Sequence, residues 1–310
     1  MTLTYATVQV QRTRSRTRSG LYRSFLNRAS PMNRVNLFLI GVNKAGTSWL
    51  YYLLRQHPEI FMSDVKELYY FGTEEKGPAS LTDYHAYFPF EEAYTYFGEA
   101  TVMYYREEEV ATALYEYNPN AQILAIVRDP IERLRSQFRY QKQLGNLAED
   151  DRLDEVLTEG RMPRLLADSH YERTLPLFAN RFGPDQFTIV SLEEGKDDPS
   201  RTWNRLMDVL NLDSVSCPAD DAGPENPTGG AAFRRIYRHL IPPIRSHLPA
   251  LYRWMLQSKL VRRTKLGLIR LLGTADKEEI PAQLRTQLRE EFAPTYQYLS
   301  ELGFDHYPSP

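Results

Sequence analysis

Five side chains in two short stretches of this sequence have the types and spacing to grip an anion: Lys44, Thr47, Ser48, Arg128 and Ser136. The first stretch, Gly41-Val42-Asn43-Lys44-Ala45-Gly46-Thr47-Ser48-Trp49, lies between an apolar run and a helical pattern. A loop at such a junction turns backbone N–H groups and the positive end of the helix dipole toward a bound anion. Its glycine spacing is that of the nucleotide-triphosphatase loop G-x-x-x-x-G-K-[ST]. Here, however, Thr47 stands at the lysine position and Lys44 sits inside the loop. The lysine charge therefore falls at the turn, beside a phosphate, and no metal-binding partner of the usual kind is specified. Read without its neighbours, the stretch is also compatible with a plain strand–turn–helix junction.

The second stretch is Ala125-Ile126-Val127-Arg128-Asp129-Pro130-Ile131-Glu132-Arg133-Leu134-Arg135-Ser136. Arg128 falls at the carboxyl end of a buried strand, where open α/β sheets bind ligands. A guanidinium can hold a phosphate with two donors, and the Ser136 hydroxyl, eight residues on, adds a third.

The elements that must position these groups are legible from periodicity. Val35–Val42 and Ala121–Val127 are continuous apolar runs, the pattern of strands buried on both faces of a parallel sheet. Shorter strands are expected at Ile60–Met62, Phe97–Thr101 and Phe187–Leu192. Helices are expected from Thr47 to Gln56, stopped by His57-Pro58, after Asp129-Pro130, and across Ser200–Leu210. Strands alternating with helices imply an α/β fold: a P-loop-like, mostly parallel sheet flanked by helices, with a helical C-terminal region. Three parts follow: a basic, disordered arm at 1–34, a core at 35–225, and a helical region at 226–310 that completes the same domain.

Composition sets the outer limits. In 310 residues, 42% are hydrophobic, which excludes disorder throughout. The single cysteine, Cys217, rules out an internal disulfide and favours a reducing, cytoplasmic setting. Neither a membrane span nor the apolar stretch of a signal peptide is visible. The net charge of −2 hides two basic segments, seven Arg in residues 1–34 and ten Lys or Arg in 226–275, both free of acid. The second alternates basic with apolar residues at helical spacing, so helices 233–272 are expected to pack on the sheet or to make a peripheral membrane contact.

Together, the two anion-binding stretches resemble the signatures of the PAPS-dependent sulfotransferases (PAPS, 3′-phosphoadenosine 5′-phosphosulfate), of the bacterial or carbohydrate type. Lys44, Gly46, Thr47, Ser48 and Leu50 match the family's 5′-phosphosulfate loop K-x-G-T-[ST]-x-L. Arg128, Pro130, Arg133 and Ser136 match its 3′-phosphate element, although Phe138 replaces a frequent tyrosine. Lys66-Glu67-Leu68-Tyr69-Tyr70-Phe71, Gly98-Glu99-Ala100-Thr101 and Leu192-Glu193 extend the likeness over roughly 35–212. The resemblance implies PAPS as co-substrate with no metal required, bound by Lys44, Ala45, Gly46, Thr47, Ser48, Trp49, Arg128 and Ser136. It implies Glu67 as general base and Lys44 as the charge on the leaving phosphate. Small phenol-sulfating members use a histidine instead, but neither His57 nor His85 sits in that subgroup's motif. The late loop that closes over the cofactor is unrecognisable, Arg234 and Arg235 being its nearest candidates. The acceptor is expected to be a hydroxyl or amine of a small molecule, glycan or lipid-like compound, with no nucleic-acid partner. A P-loop kinase and a non-enzymatic binding protein are the competing classes; the first requires the missing G-K-[ST] loop, and the second leaves Lys44, Glu67, Arg128 and Ser136 unexplained.

Overall fold

The computed structural model describes residues 34–72, 77–218 and 279–307, with five isolated positions between 244 and 267. The basic arm apart from Arg34, and the basic segment 233–272 apart from those positions, lie outside the described residues, as do Arg234 and Arg235.

The chain runs β1 (Leu37–Gly41), α1 (Thr47–Leu54), β2 (Ile60–Met62), α2 (Leu81–His85), β3 (Tyr96–Ala100), a 3₁₀ turn (Tyr104–Arg106), α3 (Glu108–Tyr117), β4 (Gln122–Val127) and α4 (Pro130–Leu144). There follow α5 (Leu153–Thr158), α6 (Arg164–Ala167), α7 (Tyr171–Phe182), β5 (Phe187–Ser191), α8 (Leu192–Asp197) and α9 (Pro199–Leu210). The last described helices are α10 (Ala282–Glu291) and α11 (Ala293–Glu301). All five expected strands are present within a residue or two of their expected ends, and α1 stops two residues early. Leu192 opens a helix rather than closing a strand, because the Ser191 side chain accepts from Glu194 N–H and caps it.

The five strands form one sheet in the order β2-β3-β1-β4-β5, with every described pairing parallel. Alternation explains the apolar runs. Phe38 and Ile40 of β1, with Ile123, Ala125 and Val127 of β4, feed one core. Leu37, Leu39, Leu124 and Ile126 feed a second core on the opposite face, against α1 and α9. Each face therefore needs an apolar residue at every other position, and the sum is a continuous run. Phe38 is fully buried; cutting such a side chain to Ala costs about 3–5 kcal/mol. Trp203 of α9 is also fully buried, and its indole N–H donates to the Val215 carbonyl at 2.9 Å, which draws residues 212–218 back over the helix.

Chain order reverses at β1: one connection leads out to β2, and the β3-to-β4 connection crosses to the other side. Such a reversal opens a crevice at the carboxyl ends of the central strands. The loops after β1 and β4, with Lys44 and Arg128, both empty into it.

Candidate functional site

The β1–α1 loop is shaped for an anion before any side chain is counted. Gly46, the N-cap of α1, is left-handed (φ 102) and caps nothing through a side chain. A Cβ there would meet Leu192 Cδ1 at 2.5 Å, so only glycine lets the loop lie this close to α8. With no acidic residue in its first turn, α1 presents its leading amides uncapped by any side chain. The α4 N-cap is filled instead, its Asp129 side chain accepting from Glu132 N–H at 2.9 Å. Ala45 is fully buried under the loop, and the half-buried Trp49 runs so close to Gly195 that a Cβ there would lie 2.6 Å from the indole.

Lys66 reaches into this loop from the segment after β2. Its ammonium donates to Thr47 Oγ1 and Ser48 Oγ, both at 3.2 Å, and lies 3.4 Å from Glu67 Oε1. The other Glu67 oxygen accepts from Val102 N–H at 3.0 Å, and Glu67 N–H donates to the Ala100 carbonyl at 2.8 Å. Glu67 is thus fixed against the end of β3, with its carboxylate linked to the loop hydroxyls through the Lys66 ammonium. Lys44 is placed differently. Its backbone is left-handed (φ 68), and its ammonium lies 4.0 Å from the ring centroid of Tyr140 on α4.

Arg128 faces the same loop from β4, donating to the Lys44 carbonyl through Nη1 at a long 3.4 Å. Its Nε is buried with no hydrogen-bond partner among the described residues. Glu132 gathers three guanidiniums: Arg128 at 4.0 Å, Arg135 at closer range, and Arg285 of α10 at 3.7 Å. The three guanidiniums offset the carboxylates of Glu132, Asp129 and Glu193 around this turn. A phosphate fits the orphaned Arg128 donor, which otherwise carries the cost of a buried unpaired N–H. Ser136 is nearly buried on the second turn of α4.

The turn bearing Arg128 is clamped from several sides. Tyr171 donates to the Arg128 carbonyl at 2.9 Å, and Tyr296 of α11 donates to Asp129 Oδ2 at 3.0 Å. Asp129 N–H donates to Glu193 Oε1 at 3.3 Å, and Glu193 accepts from the Tyr307 hydroxyl at 2.6 Å. Burial, then the neighbouring Glu193 carboxylate, pushes the Tyr307 pKa up, so that hydroxyl remains a donor.

The structure thus brings together Thr47, Ser48 and Glu67, and separately Lys44 and Arg128. Arg133, which completes the arginine pattern in the sequence, points away: it is fully buried and donates to Ser169 Oγ and the Leu165 carbonyl, both at 2.5 Å, beside the Asp168–Arg106 ion pair. Its role is to hold α4 on α6. His57 is buried against the Asp213 carbonyl and His85 bonds to Tyr117, so neither histidine joins the site. Arg285, Tyr140, Tyr296 and Tyr307 were not found from sequence; all reach the site with no motif to mark them.

Glu99 is the remaining polar group nearby. It is fully buried on β3, and desolvation, helped by the nearby Glu67 charge, raises its pKa to about 7. Unfolding returns it to the ordinary 4.5. The folded state therefore binds the extra proton, and stability falls as pH rises from about 4.5 to about 7, by about 3 kcal/mol from this group. Urea unfolding at pH 5 and pH 8 is expected to show this component in the wild type and not in Glu99→Gln; equal pH dependence in both proteins would rule it out.

A parallel α/β sheet with an uncapped helix N-terminus and an arginine cluster at its topological switch is an arrangement suited to holding an anionic ligand. Residues 34–221 match the sulfotransferase domain model, and the chain belongs to that family. It is 32% identical over 109 residues to the membrane-associated sulfotransferase kil1 of Dictyostelium discoideum, a stretch covering 35% of this chain and 23% of that protein. It is 28% identical over 185 residues to the mouse (Mus musculus) heparan sulfate glucosamine 3-O-sulfotransferase 5, covering 56% and 52%. The match thus spans about half or less of these relatives. Among solved structures, a sulfotransferase from Alicyclobacillus acidocaldarius superposes with a TM-score of 0.52 at 24% identity, over 76% of this chain and 99% of that one. The sulfotransferase domain from the curacin biosynthetic pathway gives 0.51 at 13% identity, over 89% and 99%. These likenesses establish the fold.

Proposed function

We propose that this protein transfers the sulfuryl group of PAPS to a hydroxyl, or an amine, with Glu67 as general base. The observation that carries this reading is the meeting of Lys66, Thr47, Ser48 and Glu67 within hydrogen-bonding and ion-pairing reach at the mouth of the α1 N-terminus. PAPS supplies the sulfuryl group and leaves as 3′,5′-bisphosphoadenosine. The Thr47 and Ser48 hydroxyls and the loop amides receive the 5′-phosphate, and Lys66 spans from them to the base. Lys44, on a stem that can leave the Tyr140 ring, adds charge on the leaving phosphate. Arg128 and Ser136 hold the 3′-phosphate, and Trp49 and Gly46 complete the cradle. Glu67 takes the acceptor proton as the acceptor oxygen bonds to sulfur and the bond from sulfur to the 5′-phosphate oxygen breaks.

The heparan sulfate relative supports a glycan hydroxyl as the acceptor, with lipid-like and small-molecule acceptors meeting the same chemical demand. A cytoplasmic setting remains part of this reading, and peripheral membrane contact would rest on helices 233–272. The first test is thermal: 3′,5′-bisphosphoadenosine is expected to raise the melting temperature with no magnesium present. A shift that required magnesium, or that ATP matched, would favour the kinase class. Labelled PAPS incubated with a host extract then identifies the acceptor by the product that carries the label.

A further inference from the structure

The β4–β5 ladder stops one step short of the Arg128 turn. Its last register pair is Val127 with Ser191, and along it the Ile123 N–H donates to the Gln186 carbonyl at 2.7 Å. Alternate residues of a strand send their N–H groups the same way, so Asp129 follows Ala125 and Val127 in that series. Its acceptor in register is the Leu192 carbonyl, but Leu192 opens α8, and a helical backbone directs that carbonyl along its own axis. Glu193 fills the place with a side chain: its Oε1 accepts from Asp129 N–H at 3.3 Å.

The carboxylate that does this is itself held. Its Oε2 accepts from the Tyr307 hydroxyl at 2.6 Å. Tyr307 Oη also lies 2.9 Å from Ser191 Oγ. With its one proton on Glu193, the tyrosine accepts there and Ser191 donates. Ser191 is fully buried and Tyr307 nearly so, which shields the chain of hydrogen bonds from water. The same short helix reaches the other half of the site. Leu192 lies where a Cβ on Gly46 would stand, and Gly195 lies against the Trp49 indole. Within four residues, α8 therefore meets both the β1–α1 loop and the Arg128 turn.

We propose that Glu193 is a positioning residue for phosphate recognition: braced by Tyr307, its carboxylate replaces the missing strand carbonyl and fixes the Arg128 turn against α8, at a set distance from the β1–α1 loop. The inference rests on the reading of Arg128 as the group that holds the 3′-phosphate. The spacing so fixed is what a ligand with two separated phosphates reads.

The test compares Glu193→Leu, which removes the acceptor at similar size, with Glu193→Gln, which keeps an acceptor oxygen, and with Tyr307→Phe, which removes the brace. Amide hydrogen exchange at Asp129 needs no ligand and reads the link directly. Glu193→Leu is expected to speed that exchange by roughly ten-fold, the loss of one hydrogen bond to a charged group, with Tyr307→Phe moving the same way and Glu193→Gln close to wild type. Calorimetry with 3′,5′-bisphosphoadenosine and 5′-AMP is the second readout. Glu193→Leu is expected to weaken the bisphosphate by roughly three- to ten-fold and to leave 5′-AMP unchanged, a smaller loss than that of the guanidinium itself. Wild-type protection of Asp129 in both Glu193→Leu and Tyr307→Phe would overturn the brace. Equal weakening of the two nucleotides would overturn it as well, since a general loosening of the fold does not single out one phosphate. Arg128→Ala is measured beside them. If it discriminates as the wild type does while Glu193→Leu still frees the Asp129 amide, the 3′-phosphate reading fails and the brace on the turn stands. If Arg128→Ala loses discrimination while Asp129 stays protected in Glu193→Leu, the brace fails and the phosphate reading stands.

Discussion

Glu67→Gln is expected to fold, to bind 3′,5′-bisphosphoadenosine as the wild type does, and to lose turnover by roughly 10²–10⁴-fold, the usual contribution of a general base. The amide is nearly isosteric, so the Val102 N–H keeps an acceptor, and only the basicity and the pairing with Lys66 disappear. Steady-state kinetics with the true acceptor at saturating PAPS make the comparison. Near wild-type kcat would exclude Glu67 as base, and neither His57 nor His85 would take its place, since both are bound into other contacts away from the loop.

Arg128→Ala is expected to erase discrimination between 3′,5′-bisphosphoadenosine and 5′-AMP. A hydrogen bond to a charged group contributes about 1.5–3 kcal/mol, so affinity for the bisphosphate falls by roughly 10–100-fold while that for 5′-AMP barely moves. The turn itself should survive, because Tyr171 holds the Arg128 carbonyl and Tyr296 holds Asp129, neither through the guanidinium. Titration calorimetry with both nucleotides decides it: equal weakening of the two would mean that Arg128 acts on the turn and not on a 3′-phosphate.

Local chemistry was legible in the sequence where local rules set it. The β1 and β4 runs declared two buried faces, the Gly46-Thr47 junction declared a helix N-terminus, and Asp129-Pro130 declared the next one. Arg133 shows where that reading stops. Its spacing from Arg128 matched a phosphate-binding pattern, yet helical phase turns it inward to Ser169 and Asp168, which lie just beyond a later helix. Glu99 shows the converse: an acid in a strand ordinarily reads as solvent-facing, yet here it is fully buried. The signal for α3 was present in Val110, Ala111 and Leu114 at helical spacing, and α7 carried the same signal in Tyr171, Leu175, Phe178 and Phe182.

The tyrosine clamp on the Arg128 turn has a consequence for the order in which a working site appears during synthesis. The described strands are all supplied by residues 37–191, so that sheet can form once that length of chain is free. The turn that holds Arg128 acquires the Tyr296 and Tyr307 contacts about a hundred residues later. A nascent chain can therefore own the described sheet and still lack a settled Arg128 turn, which is completed only once Tyr296 and Tyr307 have been made.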